Sequence, residues 1–368
     1  MNNFCTPNNK NNDFTCFSNN SLKKIANAYN NQHNDKIDIP NTLNNNSRGE
    51  LWDKIKDKMK KYTPCDKDFC MLNTNLVKQI DDDEINKETF RPEMPKNWYG
   101  NMNTWLSTLD IKAVMKQYEK KYNDFHFIGP VPIDFDQEIG FGMCISDELC
   151  KIDLQRLIKK GTKRLGIVFN LDPHYKGGSH WVSMFVNLNT AGIYFFDSYG
   201  LKPRKEINDL MERLKEQGNK LLLNNKININ KLENLHTEEY SFKKINSNKI
   251  KLENTDNFYV GSIVYFTGSS SHRNHSINIV TNVNQKTIEL KNKIKCNNCN
   301  KLVLKSFRTF FNNVKFQYKG SECGVYSMHF IEEFLNGKNF NEIITNVFRD
   351  DEINKKRYFY YRPNIDAI

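Results

Sequence analysis

The feature that most constrains the fold of this chain is a predicted helix at residues 323–335. These residues read Cys-Gly-Val-Tyr-Ser-Met-His-Phe-Ile-Glu-Glu-Phe-Leu, and the Asn-Gly pair that follows is a strong helix stop. Apolar side chains occupy most of the circumference of this helix, so no broad face is left for water. We therefore expect a central, buried helix with Cys323 at its N-terminus.

The rest of the chain divides into segments of different composition. Residues 1–20 are rich in Asn and offer little apolar area to bury, so we predict a disordered tail. Short helical patterns predict a mostly helical arm at 21–96. We place the main domain at 97–345, with a Lys- and Asn-rich insertion at 218–304, and a C-terminal extension at 346–368.

Hydrophobic spacing predicts the elements within these segments. Apolar residues at helical intervals predict helices at 21–30, 51–62, 105–122 and 205–217. Apolar runs bounded by turn residues predict strands at 166–171, 181–188, 193–197, 259–266 and 276–283. The strands at 181–188 and 193–197 flank the turn sequence Asn-Thr-Ala-Gly and therefore predict a β-hairpin.

The chain is basic, with a net charge of +11 and a pI near 9.0. An excess of this size favours contact with nucleic acid, an anionic membrane face or acidic proteins. The basic segments at 159–164 and 286–305 are diffuse, however, and carry no pattern of stacking aromatic residues. Abundant Lys and Asn throughout the chain could give the same charge without a dedicated site, so both interpretations stay open.

The cysteines and the apolar runs bear on the cellular compartment. The nine cysteines are an odd number, and the first ten residues lack the apolar core of a secretory signal. We therefore expect reduced thiols in an intracellular compartment. The longest apolar run, at 258–267, is too short to cross a bilayer and favours a buried strand, so no membrane partner is expected.

Cys323 is the first candidate for chemistry. A thiol attacks a carbonyl carbon as the thiolate, and its ordinary pKa of about 8.5 is lowered by a nearby imidazole or a helix N-terminus. The predicted helix supplies the second of these, and Gly320 and Gly324 would permit close approach of a substrate. A structural cysteine in a buried helix is the alternative, so the assignment needs partner residues.

The predicted hairpin supplies those partners. His180 stands at the start of its first strand and Asp197 at the end of the second, seventeen residues later. Because the turn is centred near residues 189–190, the two side chains should come together across the ladder. An aspartate in this position fixes the tautomer of the imidazole and stabilises imidazolium. A packing histidine and a turn-capping aspartate are the structural alternatives.

Gln317 completes the set of candidate residues. It lies six residues before Cys323, far enough to fold back toward it. Its side-chain amide and the backbone N–H of Cys323 would form a two-donor oxyanion hole for a carbonyl under attack. By itself, a glutamine between two aromatic residues would not predict an oxyanion hole. Together, the four residues predict a catalytic site for thiol-dependent hydrolysis.

The order His180, Asp197, Gln317, Cys323 resembles that of the clan of SUMO-deconjugating proteases and the adenovirus proteinase, adenain. The spacings of seventeen and six residues are similar, and so are three strings: Ser-His-Trp at 179–181, Phe-Asp-Ser at 196–198 and Cys-Gly-Val-Tyr at 323–326. The resemblance implies an α+β cysteine protease core with a central mixed sheet flanked by helices. It also implies a nucleophile at the N-terminus of a buried helix and no cofactor.

Two tryptophans extend the likeness to a substrate groove. Thr-Trp-Leu-Ser-Thr at 104–108 is similar to the clan's Trp-Leu-Asn-Asp helix start, whose indole, here Trp105, forms one wall of a narrow tunnel. Trp181 is similar to the opposite wall. Two such walls would admit only residues without side chains, so the resemblance implies cleavage after Gly-Gly or after a small residue and Gly. Ser-Thr replaces Asn-Asp in this chain, which departs from the family pattern at that end of the groove.

The arm extends the likeness to giant-virus and asfarvirus members of the clan, which carry a similar helix and a cysteine-containing segment like that at 64–70. This likeness implies maturation of virion core or structural precursors, in the virion and in the viral factory of the host cytoplasm. Removal of SUMO or ubiquitin from host conjugates is one alternative. A non-enzymatic basic module that binds nucleic acid is another.

Cys296 and Cys299 form a lone Cys-x-x-Cys motif, which could be half of a zinc site. The remaining ligands would have to come from pairs elsewhere in the chain: Cys65 with Cys70, Cys144 with Cys150, or His272 with His275. Nothing in the sequence joins any of these pairs to the motif. We therefore predict no metal site.

Overall fold

The structure is a computed structural model that describes residues 4–9, 14–63, 65–224, 226–227, 239–268, 277–295 and 299–365. Its α-helices are α1 (Asn19–Gln32), α2 (Asn45–Met59), α3 (Asn75–Lys78), α4 (Thr108–Lys121), α5 (Asp147–Cys150), α6 (Leu154–Lys159), α7 (Lys205–Leu223), α8 (Cys323–Leu335), α9 (Phe340–Thr345), α10 (Asp350–Lys355) and α11 (Arg357–Tyr360). Turns of 3₁₀ helix lie at Asp68–Asn73 and Lys96–Trp98, and a π-helical turn lies at Glu84–Glu88.

The strands are β1 (Phe125–Pro132), β2 (Glu138–Gly140), β3 (Met143–Cys144), β4 (Arg164–Asn170), β5 (Trp181–Asn187), β6 (Gly192–Phe196), β7 (Glu239–Ser241), β8 (Lys243–Lys244), β9 (Lys249–Lys251), β10 (Ile263–Gly268), β11 (Ile277–Asn284), β12 (Thr287–Leu290), β13 (Cys299–Leu304) and β14 (Arg308–Phe311). The chain divides into two compact units. The first comprises Met1–Asn123, Phe316–Glu332 and Asn346–Ile368, and the second comprises Asp124–Lys315 and Glu333–Thr345.

The first unit contains the helices that the sequence predicted for the arm. The side chain of Ser18 accepts a hydrogen bond from the N–H of Ser21 and caps α1, which buries Ile25 and Tyr29. Asn44 caps α2 in the same way, so this helix begins six residues before its predicted start at 51. Both helix predictions are therefore confirmed, the second with an earlier boundary.

The prediction of a disordered tail at 1–20 is wrong for the part that the structure describes. Cys5, Cys16 and Phe17 are buried in the core of the arm. The buried guanidinium of Arg48 donates to the carbonyl oxygen of Phe17 at 2.8 Å. The average composition of residues 1–20 is rich in Asn, but the segment contains a few apolar residues. Burial of these residues attaches the segment to the helices.

The expectation of reduced thiols is also wrong. Three disulfides join Cys5 to Cys16, Cys65 to Cys70 and Cys144 to Cys150, and Cys299 is disulfide-bonded as well. Cys323 is the one free thiol among the cysteines that the structure describes. An odd number of cysteines leaves one over when the others pair, and pairing depends on which sulfur atoms the fold brings within bonding distance.

The second unit is built on a five-stranded sheet with the strand order β1-β4-β5-β6-β14. The outer pairs β1–β4 and β14–β6 are parallel, and the inner pairs β4–β5 and β5–β6 are antiparallel. The predicted hairpin is confirmed as β5 and β6. Helix α7 packs its buried Ile207, Leu210 and Leu214 into the core shared with this sheet. The mixed sheet and its helices confirm the α+β class.

The predicted insertion forms a second sheet in this unit, with the order β7-β13-β10-β11-β12-β9-β8. It has its own buried core, which includes Ile250, Val280 and Leu302. Helix α7 continues through residue 218 to Leu223, because the buried Leu221 and Leu222 extend its apolar face. The insertion start predicted at 218 is therefore too early, since the glycine there does not end the helix.

The C-terminal extension packs within the first unit. The N–H of Arg362 donates to the carbonyl of Pro92, and the N–H of Met94 donates to the carbonyl of Arg362, both at 2.8 Å. The guanidinium of Arg362 also forms an ion pair with Glu93 at 2.7 Å. These contacts hold the extension, with α10 and α11, against the end of the arm.

Candidate active site

Two predicted site residues meet at the open end of the β5–β6 hairpin. His180 directly precedes β5, and Asp197 directly follows β6. The antiparallel register brings their side chains together, with His180 Nε2 at 2.7 Å from Asp197 Oδ1. His180 is 8% exposed and Asp197 is 2% exposed. A buried contact of this kind orients the imidazole.

Asp197 is held by a residue that the sequence did not reveal. Asn312, which follows β14, accepts a hydrogen bond from the Asp197 N–H at 2.9 Å and donates from Nδ2 to the Asp197 carbonyl at 2.8 Å. Asn312 is fully buried. The N–H of Tyr199 donates to Asp197 Oδ1 at 2.8 Å. Only the parallel pairing of β14 with β6 places Asn312 here, and sequence periodicity does not give that pairing.

Two neighbouring features fix the position of His180: the ring of Tyr199 and the loop before β5. The ring of Tyr199 stacks on the imidazole with the two centroids 4.6 Å apart. Ser179 donates its N–H to Asn170 Oδ1 at 3.2 Å. Gly178 has a φ of +93°, and a Cβ there would lie 2.6 Å from Asn170 Nδ2, so this turn requires glycine. The loop therefore fixes the backbone before His180, and the Tyr199 ring packs against one face of the imidazole.

The two tryptophans predicted to line the substrate groove differ in exposure. Trp181 begins β5 and is 6% exposed, whereas Trp105 is 42% exposed. The predicted helix at 105–122 begins later than expected, at Thr108, because Ser107 and Asp110 form a capping box. Trp105 therefore lies before α4 and not within it. The contact of either indole with substrate stays a prediction.

Cys323 is the first residue of α8, and every residue of this helix is buried. The sequence prediction for this helix is therefore confirmed. The free thiol of Cys323 is 1% exposed. The N-terminus of a helix is a position at which nucleophilic cysteines occur. Cys323 thus has the local environment of a nucleophile, and its catalytic role stays a prediction.

The two glycines that flank Cys323 differ in their surroundings. A Cβ on Gly324 would lie 2.9 Å from Leu106 Cδ1, so this glycine makes room for Leu106. No described atom lies within 4 Å of a Cβ built on Gly320. The contact between Gly324 and Leu106 joins the start of α8 to the segment that precedes α4.

Gln317 is fully buried on the loop that leads to Cys323. Its Nε2 donates to the carbonyl oxygen of Lys319 at 2.8 Å. This hydrogen bond fixes the side-chain amide on that loop. Its role as an oxyanion donor stays a prediction.

Glu322 is a buried carboxylate beside the proposed nucleophile, and the sequence interpretation missed it. Its oxygens accept hydrogen bonds from the N–H and the Oγ of Ser321, at 2.9 and 2.8 Å. Glu322 has no exposed surface. The carboxylate is therefore bonded by its own neighbour, which closes a tight turn immediately before α8.

The zinc motif falls largely outside the described residues. Cys296, His272 and His275 are not described, and Cys299 is disulfide-bonded, so its sulfur is not a thiolate ligand. Among the described residues, no group of three or more His, Cys, Asp or Glu side chains is arranged to hold a metal ion. None of the helices in the described part of the chain has the length and apolar character that crossing a bilayer requires.

Comparison with known proteins relates the chain to one family of proteases. Residues 250–366 match the family described as the Ulp1 protease family, C-terminal catalytic domain, a segment that includes Gln317 and Cys323 but begins after Asp197. The chain is 28% identical over 364 residues to a protein of Acanthamoeba polyphaga mimivirus named as a thiol protease. That alignment covers 95% of this chain and 89% of the mimivirus protein.

A further relative, one protease of African swine fever virus, matches both as a sequence and as a crystal structure. The chain is 25% identical over 168 residues to the SUMO-1 cysteine protease of that virus, over 42% of this chain and 60% of the relative. The crystal structure of a protease from the same virus superposes with a TM-score of 0.55 at 17% identity, over 98% of this chain and 96% of that chain, so the two share a fold. The resemblance inferred from the sequence motifs is thus confirmed: residues 250–366 match the Ulp1 protease family, and the similar viral proteins are named as thiol or cysteine proteases.

Proposed function

We propose that this protease uses Cys323 as its nucleophile, His180 as its general base and Asp197 as the carboxylate that orients the base. The buried contact of 2.7 Å between His180 Nε2 and Asp197 Oδ1 carries the proposal. With Nε2 bonded to Asp197, Nδ1 is the imidazole nitrogen that would exchange a proton with the thiol. The free thiol at the N-terminus of α8 is an independent support.

In the proposed reaction, the proton of the Cys323 thiol passes to His180 while the sulfur bonds to the carbonyl carbon of the scissile peptide. The Gln317 amide and the Cys323 N–H stabilise the oxyanion that forms. His180 returns the proton to the leaving amine as the C–N bond breaks, which leaves a thioester on Cys323. Water then gives a proton to His180 and attacks the thioester, which releases the carboxylic acid and restores the thiol. These steps need no cofactor.

The proposed substrates are proteins that are cut after Gly-Gly or after a small residue and Gly. The support is the sequence around Trp105 and Trp181, which resembles the clan's sequence at its two indole walls. Trp105 is 42% exposed, as a residue that contacts an extended substrate should be. Similarity to a mimivirus protein along 95% of the chain supports a viral substrate. We propose precursors of virion core or structural proteins, cut in the viral factory and the virion.

The test of this proposal is to incubate the wild-type and Cys323→Ser proteins with virion precursor proteins and to identify new N-termini by mass spectrometry. The wild-type protein should produce N-termini that follow glycine, and the Cys323→Ser protein should produce none. New N-termini without a preceding glycine would refute the proposed specificity. Equal cleavage by both proteins would refute the role of Cys323.

Removal of SUMO-like modifiers is a second candidate, because one similar viral protein is named a SUMO-1 cysteine protease. The same residues could hydrolyse an isopeptide bond that follows a terminal Gly-Gly. Vinyl sulfone probes built on SUMO, on ubiquitin and on a Gly-Gly peptide distinguish removal of modifiers from cleavage of precursors. Faster labelling of Cys323 by a modifier probe would favour this candidate, and equal or slower labelling would favour precursor cleavage.

Contact of the basic insertion with nucleic acid is a further part of the proposal. Lys243 and Lys251, both exposed, lie directly opposite each other on β8 and β9. Like charges in this position repel each other, and a bound polyanion would relieve the repulsion. DNA binding should weaken steeply with salt and be lost when both lysines are changed to glutamate. Binding that responds to neither change would contradict this contact.

A further inference from the structure

The nucleophile loop, defined as residues 316–323, is held by the C-terminal extension at two points. At the first, one carboxylate oxygen of Asp350 accepts hydrogen bonds from the N–H groups of Tyr318 and Lys319, both at 2.8 Å. The other oxygen accepts from the hydroxyl of Tyr326, in the first turn of α8, at 3.1 Å. Asp350 is 7% exposed, so it binds these donors largely out of contact with water.

At the second point, Arg357 reaches the backbone just before the nucleophile. Its Nη2 donates to the carbonyl of Ser321 at 3.3 Å and to the carbonyl of Thr104 at 2.6 Å. The guanidinium carbon lies 4.6 Å from the centroid of the Trp98 ring. Arg357 therefore joins the nucleophile loop to the residue that precedes Trp105.

The burial of Arg357 is difficult to explain by packing alone. Arg357 has no exposed surface, and its Nη1 has no hydrogen-bond partner among the described residues. Burial lowers the pKa of the guanidinium, and the acidic groups of Tyr361, Glu322, Asp110 and Cys323 oppose that effect. A buried charge with an unsatisfied donor opposes folding. The contacts of Arg357 suggest why it is present, because it binds the carbonyl of Ser321, two residues before the proposed nucleophile.

We propose that Arg357 and Asp350 are positioning residues that hold the nucleophile loop in its reactive geometry. The C-terminal extension is then part of the catalytic machinery. This inference rests on the proposed function of Cys323. Asp350 fixes the backbone directly after Gln317, and Arg357 fixes the backbone two residues before Cys323.

The first test compares Arg357→Lys with Arg48→Lys. Lysine keeps the positive charge but lacks the planar guanidinium that directs Nη2 at the two carbonyls. Arg48 is the matched control, because it is also buried in the first unit and donates from Nη2 to the carbonyls of Thr15 and Phe17. For a Gly-Gly peptide, we expect kcat of Arg357→Lys to fall about tenfold with KM within about twofold of wild type, and kcat of Arg48→Lys to stay unchanged.

The second test compares Asp350→Asn with Asp351→Asn. Asparagine keeps one acceptor oxygen but removes the charge that strengthens the bonds to the Tyr318 and Lys319 N–H groups. Asp351 is the matched control, because its exposed carboxylate pairs with the side chain of the same Lys319. We expect kcat of Asp350→Asn to fall about tenfold and kcat of Asp351→Asn to equal that of wild type. If Arg357→Lys does not fold, the comparison of Asp350→Asn with Asp351→Asn tests whether the C-terminal extension positions the nucleophile loop.

Alkylation of Cys323 by iodoacetamide separates this inference from the proposed function, because it measures thiol reactivity without a peptide substrate. The rate is followed by mass spectrometry from pH 5 to pH 9, and thermal unfolding is measured for every variant. Slower alkylation in Arg357→Lys and Asp350→Asn than in their controls would support positioning, even if no peptide were cleaved. Alkylation rates that match those of the controls would overturn the inference, even if the wild-type protein cleaved every substrate offered.

Discussion

Asn312 and Asp197 are joined by two reciprocal hydrogen bonds at the ends of β14 and β6. The Asp197 N–H donates to Asn312 Oδ1 at 2.9 Å, and Asn312 Nδ2 donates to the Asp197 carbonyl at 2.8 Å. Nδ2 also donates to the carbonyl of Val314 at 3.0 Å. The side-chain amide of Asn312 thus extends the hydrogen bonding between β14 and β6 past the last strand residues. It fixes the backbone of Asp197, whose carboxylate contacts His180.

Replacement of Asn312 by alanine should therefore lower activity as well as stability. The change removes hydrogen bonds from a fully buried site, so the free energy of unfolding should fall by about 1–3 kcal/mol. We expect kcat to fall about tenfold or more, because the Asp197 carboxylate loses its fixed position. Peptide hydrolysis and denaturant unfolding measure the two effects.

Asn278→Ala is the control for this prediction. Asn278 also exchanges two hydrogen bonds with a backbone, that of Asn292 in the insertion, both at 2.9 Å. Its loss should reduce stability and leave kcat unchanged. If the two variants lose the same fraction of kcat, Asn312 acts only through stability and the prediction is wrong.

Replacement of Asp197 by asparagine should nearly abolish activity. Asparagine keeps the shape of the side chain, but it does not stabilise imidazolium and it permits the wrong tautomer, so kcat/KM should fall by about two orders of magnitude or more. The control is Asp134→Asn, which removes the carboxylate from another His–Asp contact, that of His174 Nδ1 with Asp134 Oδ2 at 2.6 Å. Equal activity of the two variants over the pH range would exclude the proposed role of Asp197.

Replacement of Gln317 by alanine tests the oxyanion hole. A donor that acts on charge formed only in the transition state contributes to kcat and not to KM, so kcat should fall about 10²- to 10³-fold with KM little changed. Gln217→Ala is the control, because that amide is likewise bonded to the backbone, accepting from the Leu154 N–H at 2.9 Å and donating to the Ile152 carbonyl at 3.0 Å. A rise in KM at constant kcat would assign Gln317 to substrate binding instead.

Glu332, a buried carboxylate on α8, should make stability depend on pH. Burial raises its pKa, but contacts with His329, Lys356 and Tyr360 outweigh burial and lower the pKa from 4.5 to about 2. Because the pKa in the folded protein is below the ordinary value, ionised Glu332 stabilises the fold at any pH above 4.5. This stabilisation is lost as the pH falls from 4.5 toward 2.

The change Glu332→Gln should therefore reduce the free energy of unfolding by on the order of 3 kcal/mol near pH 7 and by almost nothing near pH 2. Denaturant unfolding of both proteins across this range gives the difference. Glu342→Gln, at an exposed position on α9, should show no such dependence on pH. A constant difference between wild type and Glu332→Gln would contradict the low pKa.

The hairpin and α8 show what could be predicted from the sequence. The turn near residues 189–190 and the flanking apolar runs set the register, so His180 and Asp197 could be paired from their positions alone. The apolar circumference of residues 323–335 likewise predicted the burial of α8 and the terminal position of Cys323. Both predictions depend on residues that are close together in the chain.

Contacts between distant segments could not be predicted in this way. Arg357 is 253 positions from Thr104, and Asn312 is 115 positions from Asp197, so no periodicity relates the members of either pair. The Asn-rich start of the chain shows the same limit. Composition averages over a segment, whereas Phe17 is buried against specific residues far along the chain, the rings of Trp52 and Phe90.

The most direct test of the active site is covalent labelling with a vinyl sulfone probe that ends in Gly-Gly, followed by intact mass measurement and peptide mapping. We expect one adduct per chain, on Cys323, and a labelling rate that falls by about two orders of magnitude or more in His180→Ala. Labelling of another residue, or labelling of Cys323 at an unchanged rate in His180→Ala, would contradict the claim that these two residues form one catalytic site.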